Sequence, residues 1–181
     1  MRIPAFLFVA IFLFLVPAQP AVPTPDLPSV PPPAERHLRM FHIHTGEHID
    51  VTYKRGDSYL VPAVGKINHF LRDWRTGDDA FYEPEVFDIL ADLLDSLELP
   101  EAELEIICGY RTPVTNQTLR NNTTGVAKNS LHMKSQAIDV RVPGLKTVTY
   151  RDAALELHRG GVGYYPESNF VHVDSGRVRR W

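Results

Sequence analysis

The sequence predicts an α+β domain, a small antiparallel sheet with helices packed on one side. Three observations predict it. Apolar and polar residues alternate on both sides of "HTGE" at 44–47, as they do in two paired strands. Residues 58–74 and 83–99 instead carry apolar side chains at helical spacing. Beyond residue 135 the pattern returns to alternation, in "QAIDVRV" and again in "GVGYYPESNFVHVDSG".

Taken in order, the chain opens with "MRIPAFLFVAIFLFLVPAQPA", one arginine followed by an apolar run of about 14 residues and then small residues. That is the layout of a secretory signal peptide over residues 1–21. The run is short of the roughly 20 residues that span a bilayer as a helix, so cleavage is expected over a permanent anchor. An uncleaved leader would leave the chain attached to the membrane. Residues 22–37 hold too many prolines for a helix or a central strand and read as an extended tether. The folded domain is expected over 38–181.

Within it, "LRMFHIHTGEHIDVTYKRG" is a hairpin, and "SYLVPAVGKINHFLRDW" and "EPEVFDILADLLDSLEL" are amphipathic helices. "ELEIICGYR" is a buried strand ending in a glycine turn. "PVTNQTLRNN" is a short helix running into the polar loop "TTGVAKNS". "QAIDVRV" is a strand, "TVTYRDAALELHRG" a helix closed by glycines, and "GVGYYPESNFVHVDSG" a last pair of strands around a turn.

Composition narrows the function. With 181 residues and 44% hydrophobic content the chain supports about one core. A net charge of -3 from evenly mixed signs lacks the basic field that nucleic acids require. The chain is expected to act as a monomer. Its single cysteine, Cys108, forms no intramolecular disulfide and sits in an apolar strand pattern. It reads as a small buried hydrophobe, with a nucleophile as the alternative.

Of the eight histidines, most read as structural or solvent-facing. His42 and His44 would share a strand face, but no acid or cysteine completes a metal set beside them. His132 differs, because it precedes the strand bearing Asp139. In "FVHVD", His172 and Asp174 share a strand face by the two-residue repeat. If those strands pair, His132, Asp139 and His172 converge. Two imidazoles and a carboxylate form a catalytic zinc set that leaves a position open, where zinc acidifies water and polarises a carbonyl.

The motifs "SLH" at 130–132, the aspartate seven residues after His132, "GYR" at 109–111 and the closing "GVGYYPxSNFVHVDxGxxRxW" resemble the exported murein endopeptidases of the MepK type. These are relatives of the D-Ala-D-Ala metallopeptidases and of the hedgehog signalling domain. The resemblance runs from about Phe41 to Trp181. It implies a zinc peptidase acting on peptidoglycan cross-links in the periplasm or cell envelope, with zinc held at the sheet by His132, Asp139 and His172. It also implies that Arg111 faces the cleft to hold substrate or polarise its carbonyl, a role suited to a forked, always-charged guanidinium. A structural salt bridge is the alternative for Arg111.

The general base departs from the pattern. Relatives with a glutamate three residues before the last ligand have Asn169 here, and an amide cannot take the proton. Asp174 is one candidate, or else orients a histidine ring; Glu167 is another. Ser130 is placed to bind a ligand or substrate oxygen, or merely to end a loop. Tyr164 and Tyr165 either line a peptide cleft or belong to the core. The competing function is a non-catalytic zinc- and peptidoglycan-binding module that has kept the metal site without a base.

Overall fold

The computed structural model describes residues 33–181; the expected signal peptide, and the expected linker as far as residue 32, lie outside them. The expected hairpin forms from β1 (Glu35–His42) and β2 (His48–Arg55). β1 starts at Glu35 rather than Leu38 because Glu35 and Arg36 pair with Arg55 and Lys54 across the ladder. The two ends of that pairing are also tied by Arg55 Nε donating to Glu35 Oε1 at 2.8 Å.

β3 (Ser58–Tyr59) adds a short edge, and α1 (Val61–Phe70) follows with a proline in its first turn, where no backbone donor is needed. Then come α2 (Glu85–Ser96), β4 (Glu103–Cys108) and α3 (Pro113–Asn122). Thr112 caps α3, its Oγ1 accepting from the Thr115 amide at 3.1 Å. β5 (Ala137–Arg141), α4 (Thr147–Glu156), β6 (Gly161–Tyr165), β7 (Phe170–Asp174) and β8 (Arg179–Arg180) complete the order. His158 lies past the end of α4 rather than inside it, at φ 51°.

The sheet is larger than expected and is not purely antiparallel. Eight strands run in the order β3-β2-β1-β4-β5-β7-β6-β8, with β4 parallel to β1 and β8 parallel to β6. α1 and α2 supply the long crossover that a parallel β1–β4 pair requires. Such a pair has no local signature.

The α+β class and the one-sided helices hold for α1, α2 and α4. Ala63, Val64, Ile67 and Phe70 of α1, the apolar side of α2, and Tyr150 and Ala154 of α4 meet Leu38, Met40, Leu104, Ile106, Ile138, Val140, Val171 and Val173 in one core. Each large aliphatic or phenylalanine side chain buried this way contributes roughly 1.5–3 kcal/mol. α3 buries only Thr115 and Asn116 and flanks the functional site instead. The strand alternation that sends Ile138, Val140, Val171 and Val173 to the core sends Asp139, His172 and Asp174 to the other face.

Candidate metal and cleft site

β5 and β7 place Asp139 directly opposite His172. The third residue arrives from a short 3-10 helix, Leu131–Lys134, entered through Ser130 and left through Ser135 at φ 54°. Ser130 Oγ accepts from the His132 amide at 3.4 Å, so it shapes the turn that aims the histidine.

His132 Nε2 is 3.2 Å from Asp139 Oδ1 and 3.1 Å from His172 Nδ1, and that Nδ1 is 2.8 Å from the same Oδ1. Three donor atoms from three chain segments therefore converge, and all three residues are buried. The far edge of each imidazole is braced. His132 Nδ1–H donates to Gly109 O at 2.8 Å, and His172 Nε2–H donates to Asp174 Oδ2 at 2.9 Å. Outer partners of this kind fix the ring plane and tautomer of metal-binding histidines, so the donor set fits a divalent ion such as zinc.

Burial opposes charge on both His132 and Asp139, yet their mutual attraction prevails. The imidazole is held well above its ordinary pKa and the carboxyl below its own. The site thus keeps its carboxylate ionised, as a metal ligand must be, while a metal would have to displace a proton from His132.

Cys108 belongs to this site, which its apolar setting hid. Ile106 pairs with Val140 but Cys108 pairs with Asp139, so a bulge at residue 107 turns Cys108 to the site face. Its Sγ, one His132 nitrogen and one Asp139 oxygen all lie within 4.8 Å of one another. Arg111 NH2 donates to that sulfur at 3.3 Å and stands 4.0 Å from Asp139 Oδ2, while NH1 reaches Asn116 Oδ1 at 3.4 Å. Arg111 therefore reaches the cleft and also touches a cluster residue. Its Nε is buried with no partner among the described residues.

A cleft of about 430 Å³ opens over the cluster. Arg111, Ser130, His132, Asp139, Tyr165, Phe170, His172 and Trp181 line it, with the 123–127 loop on one side. Alternation on β6 separates the two tyrosines. Tyr165 faces the cleft and its OH accepts from Trp181 Nε1 at 2.8 Å, whereas Tyr164 packs against the core under Arg151.

Both candidate bases fall elsewhere. Glu167 is exposed in the β6–β7 turn and does not line the cleft. Asp174 lies behind His172 on the ring edge away from the cluster. Burial would raise its pKa, but bonds from His172, Arg179 and Gly176 hold it below the ordinary carboxylate range. A carboxylate so engaged is placed to orient the ring, and it lies outside the cleft lining. Asn169 occupies a left-handed turn position at φ 53°, a conformation asparagine tolerates well.

His42 and His44 do not form a metal pair. β1 ends at His42, whose Nδ1 accepts from the His44 amide at 3.3 Å, and the His44 ring stacks on Trp74 at 4.4 Å.

The chain is similar to known proteins along most of its length. A family model described as "Peptidoglycan L,D-endopeptidase MepK" matches residues 31–181. The peptidoglycan L,D-endopeptidase MepK of Escherichia coli (strain K12) is 41% identical over 160 residues, 88% of this chain and 87% of the relative. The probable peptidoglycan L,D-endopeptidase MepK of Haemophilus influenzae is 39% identical over 160 residues, 88% of this chain and 86% of the relative.

Proposed function

The chain belongs to the family of MepK peptidoglycan L,D-endopeptidases, and from that premise we propose that it hydrolyses L,D peptide cross-links of peptidoglycan with zinc held by His132, Asp139 and His172. The observation that carries the zinc assignment is the meeting of three buried donor atoms at 2.8–3.2 Å, with both imidazoles braced from behind. A zinc ion bound there supplies Lewis acidity that polarises a carbonyl and acidifies water.

The remaining roles belong to the chain's own side chains. Arg111, part-buried in the cleft wall, binds a substrate carboxylate or carbonyl oxygen through the terminal N–H hydrogens that Cys108 and Asn116 leave unused. Ser130 sets the turn that presents His132. Tyr165 and Phe170, stacked at 4.6 Å, offer an aromatic wall to a peptide strand. Asp174 keeps Nδ1 of His172 turned toward the cluster. The leader and proline-rich segment suit export to the periplasm or cell envelope, where the polymer lies, and one copy supplies all three proposed zinc ligands.

One observation favours a second reading, a zinc- and peptidoglycan-binding module without catalysis. Among the described residues that line the cleft, Asp139 is the sole carboxylate. Incubating the purified mature chain with sacculi and following the released muropeptides by mass spectrometry separates the two. Hydrolysis that stops on zinc removal and returns on zinc addition supports the enzyme. Zinc-loaded protein that binds sacculi and releases nothing supports the module.

A further inference from the structure

The segment after β7 does more than end the sheet. Asp174 is fully buried at its side chain and accepts five hydrogen bonds. Oδ1 takes the Gly161 amide at 3.0 Å, the Gly176 amide at 2.9 Å and Arg179 NH1 at 2.9 Å; Oδ2 takes His172 Nε2 at 2.9 Å and Arg179 NH2 at 2.7 Å. Arg179 thus grips the carboxylate with both arms of its fork.

The residue two further on closes the other side of the same ring. Trp181 lies 5.1 Å from the His172 ring, and the Arg179 guanidinium stands 4.8 Å over the indole. Its ring is anchored by Nε1 donating to Tyr165 OH at 2.8 Å. Its backbone is stitched to β6, by Trp181 N to Val162 O at 3.2 Å and Tyr164 N to Trp181 O at 3.1 Å.

The glycines of β6 make room for this arrangement. A Cβ on Gly161 would stand 2.2 Å from Arg179 NH1 and 2.5 Å from Asp174 Oδ2, and one on Gly163 would stand 2.7 Å from the Trp181 ring. "GGVG" at 160–163 and "RRW" at 179–181 are therefore two halves of one packing solution.

We propose that Arg179 and Trp181 are positioning residues for the metal site, fixing the ring plane of His172 through Asp174 on one side and through indole contact on the other. This rests on the zinc reading of His132, Asp139 and His172. Removing the fork takes two of the five hydrogen bonds from Asp174 and leaves it held by two backbone amides and His172 alone, so the brace that turns Nδ1 of His172 inward is loosened. Outer partners of ligating histidines typically change metal affinity by about 10–100-fold when lost.

The test uses Co2+ as a visible probe and Zn2+ in competition with a chromophoric chelator, on the wild-type mature chain and on R179A, R179K, W181A and W181F. The exposed neighbour Arg177→Ala serves as the control. R179A is expected to weaken Zn2+ by about 10–100-fold and to alter the Co2+ absorption spectrum, with R179K intermediate because an ammonium has no fork. W181F, which keeps an aromatic ring, is expected to stay closer to wild type than W181A. Folded R179A and W181A proteins with wild-type affinity and spectrum would overturn the proposal. If R179A does not fold, an unchanged spectrum in both R179K and W181A overturns it equally. A wild-type chain that binds neither metal instead defeats the zinc reading, and does so before any variant is compared.

Discussion

Asp139 and His172 face each other across β5 and β7 with Oδ1 and Nδ1 2.8 Å apart, and His132 reaches the same point from a separate turn. A metal at this junction ties three segments together, so binding and folding are linked. His132→Ala and His172→Ala are expected to lower zinc content from about one equivalent to a small fraction of that. Both variants should also lose the rise in melting temperature that zinc gives the wild-type chain. Elemental analysis and paired melts with zinc or chelator check this, and variants that retain stoichiometric zinc would contradict the ligand assignment.

Arg111 touches Cys108 and Asn116 and also lines the cleft. Arg111→Ala is expected to lower kcat/KM on cross-linked muropeptides by about 10²–10³-fold, the usual cost of removing one preorganised donor, with zinc content unchanged. Arg111→Lys should restore little, since a point charge cannot span the same partners. If Arg111 served only as a salt bridge to Asp139, zinc affinity would fall instead and the rate per bound zinc would persist.

Cys108 is buried and absent from the cleft lining, and its sulfur is occupied by Arg111. Burial would raise the thiol pKa, but His132 and Arg111 lower it; the sulfur still does not line the cleft, so Cys108→Ser should keep measurable hydrolysis. A complete loss of turnover with zinc retained would restore the nucleophile reading.

His42 sets a pH window for stability. It lies fully buried on the helix side of β1, edge-on to Phe70 at 5.8 Å, with His44, Glu47 and Arg72 nearby. Burial first, and His44 next, lower its pKa from 6.5 to about 4. The folded chain therefore favours the neutral ring while the unfolded chain takes up a proton below pH 6.5. The stability this neutral ring contributes is complete above pH 6.5 and is lost as pH falls toward 4, by roughly 3 kcal/mol in all at about 1.4 kcal/mol per unit. Urea melts with chelator between pH 7 and 4.5 should show a steeper loss for wild type than for His42→Asn. Equal slopes would rule His42 out as the group responsible.

What could be read from the chain depended on how local the cause was. His132, Asp139 and His172 were legible as a candidate set because a two-residue repeat assigns strand faces, but their meeting was conditional on β5 pairing with β7, which the fold supplies. The same repeat put Asp174 on the face of His172 without telling which edge of the ring it meets; the fold places it on Nε2, away from the cluster and outside the cleft lining. The parallel β1–β4 pair joins residues some 60 apart and leaves no neighbouring pattern. Cys108 reads as a small buried hydrophobe from its apolar strand pattern; it is buried, but a bulge at one residue turns it to the site face. Arg179 and Trp181 stood within a recognised closing motif, yet their work lies in contacts with Gly161 and Gly163 that the chain does not place side by side.

Gly109 offers a last and separable test of how the backbone supports the site. A Cβ there would lie 2.5 Å from the Leu71 carbonyl oxygen and 3.0 Å from Leu71 Cβ. That carbonyl cannot swing away, because it accepts the Tyr110 amide at 2.7 Å. The Gly109 carbonyl, in turn, accepts the Nδ1–H of His132 at 2.8 Å. Gly109→Ala is therefore expected to cost about 1–3 kcal/mol through backbone displacement, visible as a melting temperature lower by roughly 3–10 °C. It should also weaken zinc by about 10-fold by moving the acceptor that orients His132. Gly65→Ala in α1 has open space around its new methyl and should gain about 0.5–1 kcal/mol. A Gly109→Ala protein that melts early yet binds zinc as tightly as wild type would confine this glycine to packing and assign the orientation of His132 to the Ser130 turn.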